Sequence, residues 1–425
     1  MRGAKRVATN DMAHLLQISL GSPSTFPHDG ASRAKARRFP APLHALLGLV
    51  LLVIGTWLGV HTLPWFGPWL ADSLRSLLGS ERVTWLEEAV AHAEDRVQQV
   101  TKQGEIRDLS DAVPATSSLA EPAGLIDAVV HRPSDVGPVH AKVKGAGDGV
   151  WQAVAVRGTE SPVLYRTLLH PDAERTYAEL FVFALDLDQA EIHAVAGSVE
   201  PKRAEGAPRS KERRPGVVPE QDRVRLFAAF NGGFKAEHGH YGMMSNGVTW
   251  LAPKSTSCTF AAKDDGALVI ASWAKLKDTS SELGWWRQTP GCMVEDGVMH
   301  SALRSPNAKG WGATLEGDTV IRRSAVGLSE DGKVLFVGIS NSTTAPALAK
   351  GMVHAGAKNV AQLDVNFSYP RFLLYREAQA TGSGLLAEGA VKGLLYEDGE
   401  YLERASTRDF FYVTLKDSPR AEASR

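Results

Sequence analysis

The chain reads as an α+β protein in which a mixed sheet carries helices and one β-α-β unit, preceded by a transmembrane helix and a stalk helix. Three observations predict this. An uncharged apolar run lies near the N-terminus, a stretch with helical periodicity follows it, and short apolar or alternating segments bounded by turn residues succeed one another from Gly149 onward. With 425 residues, 44% apolar and 22% charged, the chain can bury a sizeable core and is not a disordered composition. A formal net charge of -1 gives no reason to expect nucleic acid as a partner.

Residues 1–38 hold seven Lys or Arg against Asp11 and Asp29, with Ser, Pro and Gly between them, which is the composition of an unfolded basic tail. From Phe39 to Val60 there is no Asp, Glu, Lys or Arg, and a run of about 20 apolar residues spans a bilayer. A transmembrane helix is therefore expected over residues 39–62. The positive-inside rule keeps the tail in the cytoplasm and sends the main domain outside it, to a bacterial periplasm or cell surface. In such an oxidising place the only two cysteines, Cys258 and Cys292, can pair or remain two buried thiols.

Leu74, Leu77, Leu78, Val83, Leu86, Val90, Ala93 and Val97 fall near three- and four-residue steps, so a stalk helix is expected over residues 71–103. Its apolar face suits the main domain, a second copy or the membrane surface. A linker is expected over residues 104–148, and the main domain over 149–418. Within that domain, strands are expected at Val150–Val156, Tyr177–Leu185 and Glu191–Val195. A polar insertion follows from Pro201 to Arg225, with eight Lys or Arg and four acids, as a solvated loop or an arm for anionic polymer. Lys333–Ser340, Thr344–Ala355 and Asn359–Leu363 read as strand, helix and strand, a β-α-β unit with parallel strands that places Asp364 at a strand's carboxyl end, where ligand crevices lie. Further strands are expected at Arg371–Tyr375, Val391–Tyr396 and Phe410–Leu415.

Four separated pieces then line up in order: Phe230-Asn231-Gly232-Gly233-Phe234 after an apolar run, Gln288 to Gly297, Arg322-Arg323-Ser324-Ala325, and Gln362-Leu363-Asp364-Val365-Asn366-Phe367-Ser368. In this order and spacing they resemble the phosphodiester glycosidase family over roughly Ala228 to Leu415. The family's loop runs Leu-Asp-Gly-Gly-Gly-Ser; here Asp364 and Ser368 are kept and the three glycines are not. The resemblance implies a carbohydrate or sugar-phosphate substrate and a glycosidase-type hydrolysis. Asp364 is then the candidate base, nucleophile or metal ligand, or else a structural cap, and Asn231 orients substrate unless it makes an ordinary turn.

Arg322 or Arg323 would bind phosphate through paired hydrogen bonds, one of the two pointing inward. Gly232 and Gly233 would allow close backbone approach to a ligand. Asn366 and Ser368 complete the candidate binding loop. His238 and His240, two apart in a glycine-containing loop, are incidental or supply a proton to the leaving oxygen. No further ligand cluster announces a metal, and no cofactor is expected. The replaced glycines favour a second reading, a non-catalytic protein binding exopolysaccharide or cell-wall glycan, and an anchored assembly factor is a third.

Overall fold

The computed structural model describes residues 41–63, 66–112, 131–203, 214–304, 310–311, 319–378 and 382–417. The basic tail, the first residues of the apolar run, the Pro/Ser/Ala-rich part of the linker and residues 204–213 of the insertion lie outside the described residues. The chain divides into two compact units, Met1–Thr56 and Trp57–Arg425.

Helix α1 covers Ala41–Thr62. Among the described residues no helix is long and apolar enough to cross a membrane. The expected single stalk is two helices, α2 (Phe66–Leu78) and α3 (Ser80–Thr101). The break falls at Gly79, whose φ of 83° is open to glycine and strained for other residues, so the helical hydrogen-bond ladder stops there. Arg75 of α2 pairs with Glu87 of α3 at 2.8 Å.

Nor does α3 stand free. Asp95 takes Arg175 Nε at 3.1 Å and the Tyr177 hydroxyl, and Ser342 donates to Gln98 at 3.1 Å. Much of the expected linker is packed as well: α4 (Leu109–Ala112) interrupts it, Arg107 pairs with Glu179, and the His131 amide donates to Asp186 at 3.1 Å. The packed domain therefore begins before residue 149.

The strands follow as β1 (Gln152–Ala153), β2 (Leu164–Leu169), β3 (Leu180–Asp186), β4 (Ala190–Val195), β5 (Leu226–Asn231), β6 (Met243–Ser245) and β7 (Val248–Leu251). Next come β8 (Cys258–Lys263), β9 (Leu268–Ser272), the short α5 (Trp273–Leu276), β10 (Leu283–Thr289), β11 (Val294–Glu295) and β12 (Val298–Met299). The last group is β13 (Ile321–Leu328), β14 (Val334–Thr343), α6 (Ala345–His354), β15 (Asn359–Gln362), β16 (Phe372–Glu377), β17 (Leu385–Gly389) and β18 (Phe410–Leu415).

They build an eight-stranded sheet in the order β1-β2-β3-β14-β13-β15-β11-β12, and two five-stranded sheets, β7-β6-β10-β8-β9 and β17-β16-β5-β18-β4. Phe183, Phe230, Phe260, Phe372 and Phe411 bring the three sheets into one apolar core, while Leu348 and Met352 of α6 pack with Leu180, Val182 and Phe336 in a second core.

Two expectations about pairing change. Strand, helix and strand fall where the β-α-β reading puts them, but β13 is inserted between β14 and β15 and is antiparallel to both. The two outer strands thus run the same way without touching. Each named strand pair among the described residues is antiparallel, so the sheets are not mixed. The fold remains α+β. No strand forms at Val391–Tyr396; Val391 and Leu394 are buried in the core from irregular chain, and the hairpin partner of β16 is β17 instead.

Candidate functional site

The site is built where β5 ends, where β13 begins and where the chain leaves β15. Backbone pairing already brings these together: the Asp364 amide donates to Gly232 O at 3.2 Å and the Leu363 amide to Ser324 O at 2.8 Å. Asn231 is fully buried and spends its whole amide on this join. Its Nδ2 donates to Ser324 Oγ at 2.9 Å and to Gly232 O at 3.1 Å, and its Oδ1 accepts the Arg371 amide at 3.1 Å. Ser324 Oγ in turn donates to Asp364 O at 2.9 Å. Asn231 is not a hairpin-turn residue, because β5 pairs with β16 and β18 and with neither of its neighbours in sequence.

The two glycines serve packing. Neither has positive φ. A Cβ on Gly232 would lie 2.2 Å from Asp409 Oδ2, and one on Gly233 would lie 2.7 Å from the Arg287 guanidinium carbon. Asp409 accepts the Gly233 amide at 2.8 Å and Arg287 Nε at 2.8 Å, and its backbone oxygen accepts the Gly232 amide at 3.0 Å. The close approach expected of a ligand is made here by a buried ion pair.

Asp364 is buried and paired with Arg408, and its other oxygen accepts the Asn366 amide at 2.8 Å. Asn366 Oδ1 accepts from Ser368 Oγ at 3.2 Å. The substituted loop is thus closed by its own side chains where three glycines would leave it open. Arg408 also donates to Gly233 O at 3.2 Å, and its guanidinium stands 4.3 Å from the centre of the Tyr369 ring. Burial lowers its pKa to about 10, so it is charged at neutral pH.

Neighbouring positions on a strand face opposite ways, and the arginine pair divides accordingly. Arg322, on the same face as Ser324, lies over the Phe367 ring at 4.1 Å and donates to Phe367 O at 2.5 Å and Gly393 O at 3.2 Å. Its pKa falls to about 10, through burial first and then the like charge of Arg371. Arg323 points away from that loop and donates to the carbonyls of Thr343, Trp311 and Thr319 and to Gln362 Oε1. It is fully buried and pegs the strand to its surroundings, which makes Arg322 the cation on the Asp364 side.

His238 ends a short 3-10 turn and His240 follows with φ of 50°, so the two are not in extended chain and do not share a face. Burial, then the nearby Arg75, hold His238 down to about 4. Neutral at pH 7, it carries no imidazolium proton to give a leaving group. His240 is exposed. Cys258 and Cys292 form a disulfide between β8 and the chain beyond β10. Among the described residues no group of three or more His, Cys, Asp or Glu is placed to hold a metal.

Residues 225–364 match the family model of the phosphodiester glycosidases. The matched segment contains Asn231, both glycines, Arg287, Arg322, Ser324 and Asp364, and ends at the last of these. Arg408 and Asp409, which clamp the site from the chain just before β18, lie beyond it. Sequence reasoning missed both, together with Arg287. Their signals were an Arg-Asp pair immediately before an apolar run and an arginine inside a strand of two tryptophans.

No curated protein matches the chain. Among solved structures, a hypothetical protein from Synechocystis aligns at 10% identity over 63% of this chain with a TM-score of 0.33, and this chain spans 62% of its length. A putative exported protein from Burkholderia pseudomallei aligns at 10% identity over 55% of this chain and 74% of its own, with a TM-score of 0.22.

Proposed function

We propose that the chain is a hydrolase of the phosphodiester glycosidase type that cleaves the bond between a sugar's anomeric carbon and a phosphodiester. The observation that carries this is the convergence of Asn231, Ser324 and Asp364 in one hydrogen-bonded set, with Arg408 on the Asp364 carboxylate, inside and beside the phosphodiester glycosidase segment. Arg322 and Arg408 supply positive charge for an anionic diester, and guanidinium forks suit its oxygens, while Arg371 is spent on Glu400 and on the Tyr369 and Ser368 carbonyls. When a phosphate oxygen draws Arg408 away, the Asp364 carboxylate is free to take a proton from water as that water attacks the anomeric carbon. The carbon-oxygen bond breaks and the products are free sugar and a phosphate monoester. A phosphate leaving group is a weak base, which agrees with a neutral His238 that offers no proton.

The altered loop favours a second reading, a glycan-binding protein without turnover. Val365, Asn366 and Phe367 replace the family's glycines, and both Asp364 oxygens are already engaged. In either reading residues 39–62 anchor the chain, with the main domain outside the cytoplasm; the basic tail before an uncharged run and the exposed leucines of α1 support this.

The test is sugar release by the purified chain from an N-acetylglucosamine phosphodiester, beside Asp364→Asn and Arg322→Ala variants. Release by the native chain that drops at least a hundredfold in Asp364→Asn supports the hydrolase. Glycan binding without release by the native chain removes it for this substrate class. Resistance of the chain to alkaline extraction from membranes tests the anchor.

A further inference from the structure

On the reading of the site as one for a sugar phosphodiester, we propose that Glu200 is a specificity-determining residue: its carboxylate sets the site against a doubly charged phosphate monoester and so in favour of a singly charged diester. Glu200 is placed from both sides of the site. Its amide donates to Thr407 O at 2.8 Å, one residue before Arg408, and a Cβ on nearby Gly197 would stand 2.4 Å from the Arg408 carbonyl carbon. Its Oε2 accepts the Ala236 amide at 2.9 Å and the Lys202 amide at 2.9 Å. Ala236 follows the Asn-Gly-Gly-Phe segment, so the carboxylate is held between that segment and the arginine that grips Asp364. The residue is buried, and its Oε1 has no hydrogen-bond partner among the described residues.

The acids around Arg408 differ in what their charge is spent on. Asp409 pairs with Arg287, Asp364 pairs with Arg408 itself, and Glu237 lies 3.6 Å from Lys235. Glu200 makes no ion pair among the described residues. Arg214, close by, turns its guanidinium instead to the carbonyls of Val199 and Pro201 and to the Trp250 ring, 4.4 Å from its centre. Arg408 feels the charge that is left: burial lowers its pKa, and Asp409 and then Glu200 oppose the fall.

The consequence is one of charge number. Arg408 gives Nη2 to Asp364 and to Gly233 O, and its enclosed Nε meets no acceptor, so the guanidinium keeps donors for a ligand oxygen. A diester bound there carries one negative charge, whereas a monoester carries close to two at neutral pH. Repulsion from a fixed carboxylate is proportional to the charge of the ligand, so Glu200 opposes the monoester about twice as strongly as the diester. The same bias helps the phosphate monoester to leave once the glycosidic bond is cut.

The test is titration calorimetry on the full chain in detergent micelles at pH 8.5. Two probes are compared: the N-acetylglucosamine phosphonate in which CH2 replaces the bridging oxygen, a dianion, and its monomethyl ester, a monoanion. Neither has a glycosidic oxygen to lose, so binding is read apart from turnover. In Glu200→Gln, affinity for the dianion is expected to rise about tenfold or more, and affinity for the ester by about the square root of that factor. Glu200→Ser removes the same charge by another shape and is expected to repeat the pattern, which covers the case of a glutamine variant that does not fold. Glu200→Asp keeps the charge and is expected to hold both affinities near the native ones. Equal gains for the two probes, a loss for both, or no change on removing the charge would overturn the role of Glu200 and leave the phosphodiester reading standing. Binding of neither probe by the native chain would overturn that reading and the selectivity with it.

Discussion

A single imidazole gives the site a pH signature. His238 is held near 4 in the folded chain against about 6.5 in an unfolded one, so between these values the unfolded state binds more protons. Stability from this group is full above about 6.5, falls as pH drops toward 4, and changes no further below that. A His238→Gln chain should show a shallower loss of stability across that window, read from denaturant midpoints at several pH values. The Arg287–Asp409 pair makes a sharper claim. Both side chains are almost wholly enclosed, so Asp409→Ala leaves a buried guanidinium unpaired and should cost about 3–5 kcal/mol by urea unfolding. Asn231 and Asp364 were legible in the sequence because they lie in short fixed motifs. Arg287, Arg408 and Asp409 were not, because a charge becomes informative only once its distant partner is known.

Secondary structure was more legible than pairing. Phe410–Leu415 has the bounds that its apolar run predicts, and α6 begins where Thr344 caps it by accepting the Ala347 amide. Local pattern records which residues are buried and not which strand they lie beside, so the insertion of β13 between β14 and β15 left no trace in periodicity. Val391–Tyr396 misled for a related reason, since apolar residues reach the core from irregular chain as readily as from a strand. The disulfide is the firmest element-level device. It closes a loop whose ends are 34 residues apart, and a Cys258→Ser/Cys292→Ser chain should be destabilised by about 2–4 kcal/mol. The measure is the native melting midpoint with and without reductant beside that of the variant.

At the scale of the molecule, the helix expected to be a stalk is part of the main unit. Asp95→Ala strips both Arg175 and the Tyr177 hydroxyl of their carboxylate, and amide exchange over Ser80–Thr101 should then rise at least tenfold while the sheets stay protected. Helical periodicity announced the helix but was silent about docking, because the deciding groups, Asp95 and Gln98, are polar. The clamp on the Asn-Gly-Gly segment also has a consequence for synthesis. The Gly233 amide is seated by Asp409, a residue 176 positions later. At about 5–20 residues per second the ribosome needs on the order of ten to thirty seconds to supply it, and sheet β17-β16-β5-β18-β4 cannot close before then. Throughout that interval β5 is an apolar strand without its neighbours, which makes the emerging chain, rather than the finished protein, the state most dependent on chaperones.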